Sequence, residues 1–149
     1  MRIADICTRD VVQIDAGAPL NEAAETMRRR HVGALVVTEQ PNGEHIPVGM
    51  LTDRDIVLAV VAPDVAPGTL TAGDVMTHPL ATCREDQELS DAIQTMRERG
   101  VRRLPVLNAR GGLAGIVAAD DIFNALGTHL RDLNQVLGHE QARETHQRS

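Results

Sequence analysis

The chain repeats itself, and this constrains its fold more than any other feature. Laid over itself at the offset that carries Asp5 onto Asp74, the sequence matches at Thr8 and Thr77, Leu20 and Leu89, and Ala23 and Ala92. The triplet Thr26-Met27-Arg28 falls on Thr95-Met96-Arg97, and Arg30, Val32, Leu35 and Val37 fall on Arg99, Val101, Leu104 and Val106. The loops "EQPNGEHIP" and "NARGGLA" then differ in length, after which Gly49, Asp55 and Ile56 meet Gly115, Asp121 and Ile122. A tandem duplication of this period means one supersecondary unit used twice. The boundary lies in the Ala-, Pro- and Gly-rich stretch "APDVAPGTLTAGD".

Each copy reads in the same order. A short strand is expected at Val11–Ile14 and Leu80–Cys83. Leu20, Ala23, Ala24 and Met27, and their counterparts Leu89, Ala92, Ile93 and Met96, stand at helical i, i+3, i+4, i+7 spacing. Each set therefore makes one apolar stripe. Val32–Val37 and Val48–Leu51 flank a turn at Asn42-Gly43, and Val101–Leu107 and Leu113–Val117 flank Gly111-Gly112, which argues for hairpins. Second helices start near Asp53 and Asp120. One copy of about 60 residues buries too little surface to stand alone, so the copies are expected to pack sheet to sheet about a pseudo-twofold axis, with matching clefts at the junction. The expected fold class is α/β (α+β), with repeats at 1–66 and 67–127 and an extension at 128–149.

That extension has no counterpart in the other copy. Leu126, Leu130, Leu133 and Leu137 predict a helix to about Leu137, its stripe either covering its own domain or making a dimer contact. The polar end "GHEQARETHQRS" is expected to fray.

Composition limits the chemistry. Phe123 is the one aromatic residue, so a flat ligand ring would lie between aliphatic side chains. A net charge of -6 argues against non-specific nucleic-acid binding. The longest apolar run, Ile56–Ala62, falls far short of the roughly 20 residues of a membrane span. Cys7 and Cys83 are not a CxxC pair and read as reduced thiols; with no signal sequence at the start of the chain, a cytoplasmic protein is expected. The six histidines show no zinc-ligand spacing, and no nucleophile elbow, P-loop or dinucleotide fingerprint occurs. No metal site and no enzymatic activity are expected. The run Arg28-Arg29-Arg30 suits a helix C-terminus, where cations complement the dipole.

Two stretches hold the main candidates: "GMLTDRDI" closing copy one and "GIVAADDI" closing copy two. Thr52 and Asp55 have the spacing of a helix capping box. Together with "VMTHP" and "VRRLPVLN" in copy two, these stretches resemble the cystathionine-β-synthase (CBS) domain family over residues 3–126. The resemblance implies a pair of repeats forming two clefts that bind adenosine-containing ligands such as AMP, ADP, ATP or S-adenosylmethionine. It also implies a regulatory role, a homodimer and an unidentified regulated protein, with no required cofactor.

By the family pattern Asp55 would hold the ribose hydroxyls, a task suited to a carboxylate that accepts two hydrogen bonds. Thr52 would add a hydroxyl, the helix start N–H groups would suit a phosphate, and Asp53 and Arg54 share that turn. In copy two Asp121 remains but Ala118 replaces the Thr, so a weaker cleft is expected. Asp121 beside Ala118 is read here as a sign of binding, because capping alone does not readily account for it. Arg102 and Arg103 are read as phosphate contacts. The adenine would be framed by Thr8, Asp10, Val11, Ala34 and Leu35 in copy one, and by Thr77, His78, Leu80 and Leu104 in copy two. The alternative is a constitutive dimeric scaffold with empty or vestigial clefts, mildly favoured by Gly33 and Ala118.

Overall fold

The computed structural model describes residues 1–148, with side chains through residue 144. The first repeat holds β1 (Gln13–Asp15), α1 (Leu20–Arg30), β2 (Ala34–Glu39), β3 (Ile46–Thr52) and α2 (Asp53–Ile56), which continues in a wider π-type turn over Val57–Val61. A short helix α3 (Ala72–Val75) opens the second repeat, followed by β4 (Cys83–Arg84), α4 (Leu89–Arg99), β5 (Arg103–Leu107), β6 (Leu113–Ala118) and α5 (Ala119–Arg148). The strands form two three-stranded sheets, β1-β2-β3 and β4-β5-β6, each with one parallel and one antiparallel pairing. Among the described residues no helix is long and apolar enough to cross a membrane.

Most of each apolar stripe falls where the spacing places it, but Ala24 and Ile93, expected on the same stripes, are exposed. Leu20, Ala23 and Met27 of α1 lie in a core with Ile14, Leu35, Val37 and Leu51. Ala92 and Met96 of α4 lie in its twin with Cys83, Leu104, Val106 and Val117. Both helices end on a left-handed residue, His31 (φ 54°) and Gly100 (φ 64°). Glycine takes that conformation at no steric cost, whereas histidine does not.

The ends of β2, β3, β5 and β6 move by one or two residues from those expected, and three other elements differ for a reason in the fold. β1 and β4 start later than Val11 and Leu80, because Thr8 and Thr77 cross to the other repeat. The N–H of Thr8 donates to Ile116 O and the carbonyl of Thr8 accepts from Ile116 N–H, both at 2.9 Å, and Thr77 makes the same exchange with Met50. The chain must return before it can join its own sheet.

The leading turns follow the same exchange. Ile3 is fully buried in the core of the second repeat, and Ala72 is fully buried in that of the first. Gly49 and Gly115, which match between copies, make this crossing possible. A Cβ on Gly115 would stand 2.8 Å from Thr8 O and 3.0 Å from Cys7 Sγ, and one on Gly49 would run into the Met76 side chain.

The third difference is α5, which runs to Arg148 instead of fraying past Leu137. Glu140, Gln141, Ala142, Arg143 and Glu144 are strong helix formers, and no proline interrupts them.

Candidate functional site

A cleft of about 360 Å³ opens between the sheets on the first repeat's side. This lies at the compact end of small-molecule sites, about 300–1,000 Å³. Its walls are the segment before β1 (Asp10, Val11, Val12), the end of α1 with the start of β2 (His31 to Ala34, and Val36), and two residues of the second repeat, Arg103 and Ile116. The bond pair between Thr8 and Ile116 sets β6 against this wall.

Of the expected residues, Asp10, Val11, Ala34 and Arg103 are brought together here. Arg103, expected as a phosphate contact, starts β5 and lines the first repeat's cleft, and among the described residues its side chain makes no hydrogen bond or ion pair. Arg102 turns the other way, to Asp120 at 3.4 Å, with both groups exposed. The carboxylate of Asp10 faces Arg30 at 3.2 Å, so the charge of Asp10 is already met. Val12, His31, Val32, Val36 and Ile116 also line the cleft and are not among the sequence candidates, and Gly33, weighed in the sequence only as favouring an empty cleft, lines it too. Ile116 belongs to the other repeat, so no local pattern pointed to it. For His31 a signal existed, since it occupies the left-handed position that is Gly100 in copy two.

The stretch from Thr52 to Asp55 adjoins the cleft wall but is not among its lining residues. Thr52 is the register partner of Ala34, and the N–H of Asp53 donates to Gly33 O at 2.9 Å. The Asp53 carboxylate lies over Gly33, one oxygen 3.0 Å from where a Cβ would be. Copy two carries Arg102 at the position of Gly33. Arg54 makes no side-chain hydrogen bond or ion pair among the described residues.

Thr52 and Asp55 form a reciprocal capping box. Asp55 Oδ2 accepts from Thr52 N–H at 2.9 Å, and Thr52 Oγ1 accepts from Asp55 N–H at 3.1 Å. In copy two Asp121 Oδ2 accepts from Ala118 N–H at 2.9 Å. This corrects the reading of Asp121. The acidic half of a capping box needs only the backbone N–H of the cap residue, so Ala118 leaves it intact. Asp5, Asp74 and Asp91 do the same at Arg2, Thr71 and Glu88. At Asp74 these bonds, to the backbone and then the side chain of Thr71, hold the carboxyl below its ordinary pKa. Capping uses one oxygen; among the described residues Oδ1 of Asp55 has no partner.

Leu35 and Leu104 are fully buried in the two cores, so only their backbone could meet a ligand. Thr8 and Thr77 are held by the crossing bonds described above. His78 and Leu80 flank the His78-Pro79 peptide, which is cis, in the second repeat's matching segment, away from the first cleft. Cys83 of β4 is buried in the second core, and burial, with a further push from Cys7, raises its thiol pKa to about 12. Among the described residues no group of three or more His, Cys, Asp or Glu is placed to hold a metal ion.

Two strand–helix–strand–strand–helix repeats, each completed by the other's leading turn, define a tandem-repeat α/β module. The CBS domain model matches residues 3–62 and 72–128, and the chain belongs to the CBS domain family. An uncharacterized protein of Methanopyrus kandleri is 35% identical over 124 residues; the match spans 81% of this chain and 60% of that protein's length. Hypoxic response protein 1 of Mycobacterium tuberculosis is 34% identical over 125 residues, 84% of this chain and 85% of its own. A crystal structure of Hypoxic Response Protein I with two coordinated zinc ions aligns with a TM-score of 0.71 at 31% identity, covering 83% of this chain and 98% of that one. A CBS domain protein from Pyrobaculum aerophilum, complexed with AMP, aligns with a TM-score of 0.69 at 26% identity, covering 81% and 89%.

Proposed function

We propose that the chain is a cytoplasmic, non-enzymatic regulatory module. It binds an adenosine-containing ligand in the cleft between its repeats, acts as a homodimer, and passes the bound state to a protein it regulates. The AMP complex of the P. aerophilum relative supports the ligand class. The observation that carries the reading is Arg103, a guanidinium from the second repeat that lines the first repeat's cleft and has no partner among the described residues. An unpaired guanidinium beside backbone and aliphatic walls suits one phosphate.

In this reading the free oxygen of Asp55 accepts the ribose hydroxyls, and Val11, Val12 and Ala34 hold the adenine between aliphatic surfaces. Arg54 stays outside, available to a second phosphate. With Asp10 already paired and the Asp53 carboxylate over Gly33, one phosphate fits the charge of the cleft better than three. The second cleft, without the Thr52 hydroxyl and framed by Thr77, His78 and Leu80 beside Asp121, binds more weakly.

The test is thermal stability and calorimetry against adenosine, AMP, ADP, ATP and S-adenosylmethionine. A ligand at 100 times its dissociation constant adds about 2.7 kcal/mol of stability. The reading expects AMP to stabilise most, and Arg103→Ala to weaken AMP far more than adenosine. The constitutive scaffold is the second reading, and one observation favours it: Asp55 and Asp121 are both accounted for as helix caps without a ligand. It predicts the same melting temperature with every compound in the panel.

A further inference from the structure

The far half of α5 has no cover. The helix is 30 residues long, about 45 Å at 1.5 Å per residue, and every residue from 128 through 144 is exposed. Yet Phe123, Leu126, Leu130, Leu133 and Leu137 follow the alternating three–four spacing of a heptad seam, with Phe123 71% and Leu130 67% exposed. The seam runs at its base into an apolar groove of about 380 Å³ between α4 and α5, walled by Ile93, Met96, Ile122 and Phe123. Arg97 is the one charged residue lining that groove, and the next seam position after Leu137 is Glu140. Neither side chain has an ion-pair partner among the described residues.

We propose that α5 pairs antiparallel with the α5 of a second copy, each tail seated over the other's groove. Set Leu130 against Leu133 of the second copy. The same register then puts Leu126 against Leu137 and Phe123 against Glu140, so that Glu140 of one copy arrives beside Arg97 of the other. A twofold interface requires this self-matching: every contact is made twice, with the roles exchanged. The parallel arrangement sets Glu140 against Glu140 and leaves both grooves open. The apolar seam spans only about two heptads, fewer than the three to four that mark a free-standing coiled coil. The α4 wall of the groove supplies the remaining apolar contact. The inference rests on the homodimer reading above and names the surface that makes the dimer.

The test is sedimentation velocity on the full chain, with circular dichroism to confirm folding. The exposed positions are chosen so that the variants fold. The wild type is expected to be a dimer, and Leu130→Asp to weaken it at least a hundredfold. Arg97→Glu and Glu140→Arg are each expected to weaken it about tenfold, and the double variant to restore it, because like charges facing across an interface repel and a swapped pair attracts. A dimer untouched by Leu130→Asp overturns the α5 surface while leaving the homodimer reading standing. A dimer weakened by Leu130→Asp but with no charge-swap rescue overturns the register. A chain that is monomeric throughout overturns both, and leaves the stripe to a different protein.

Discussion

Asp55 and Asp121 show how one residue type can carry two meanings. Each caps the helix that follows it, and among the described residues Asp55 keeps one carboxylate oxygen without a partner. The two roles separate by substitution. Asp55→Asn keeps one oxygen to accept from Thr52 N–H, but its amide nitrogen cannot accept from a ribose hydroxyl. Melting of the free protein should fall by less than the roughly 0.5–2 kcal/mol of a lost cap, while AMP binding should weaken about 10- to 100-fold, as expected for bonds to a charged group. Equal, small effects on both would place Asp55 among the plain caps. Sequence showed that the Asp recurs in both copies, but its cause lies in backbone N–H groups that no side-chain pattern reveals. Arg103 was visible as a cation, yet its destination depends on how the sheets face each other. At Cys83 the sign is fixed by burial: the folded thiol holds its proton to about pH 12 against an ordinary 9.0, so its contribution to stability falls as pH rises from 9.0 toward 12. The measurement is iodoacetamide labelling, which should reach Cys83 only on unfolding.

At the scale of elements, the helices α1 and α4 were legible to the residue at their starts, because 3.6-residue periodicity reports one buried face directly. The first strands were not. Val11 and Leu80 look like strand residues, but the crossing of Thr8 and Thr77 delays sheet pairing, and pairing partners are not local information. The matched glycines Gly49 and Gly115 are repeat landmarks in the sequence; their reason is the crossing segment packed on them, the Met76 side chain at Gly49 and Thr8 O with Cys7 at Gly115. Gly115→Ala should therefore destabilise the protein by about 1–3 kcal/mol, as for other overpacked sites. Gly127→Ala is the control. It lies in α5 with nothing within 4 Å of an added Cβ, and should stabilise by up to about 1 kcal/mol. Chemical denaturation of the two variants measures both; similar values would mean the crossing tolerates a side chain.

For the whole molecule, the exchange of leading turns makes two repeats one folding unit. Ile3 belongs to the second core although almost the whole first repeat lies between them in sequence. Ile3→Ala should cost about 2–5 kcal/mol, and urea unfolding should remain a single transition, since neither core is complete without the other's segment. Two separate transitions would contradict this. The duplication was plain from sequence; the exchange was not, because Ile3 and Ala72 are matched by symmetry and either could have completed its own core. The same architecture brings Arg103 across to the first repeat, so the cleft exists only when both repeats are in place. The most direct test is isothermal calorimetry of AMP on the full chain, alongside Arg103→Ala. The account predicts saturable binding dominated by one cleft, at least tenfold weaker in Arg103→Ala. Absence of binding by the wild type, or AMP binding indifferent to Arg103, would contradict it.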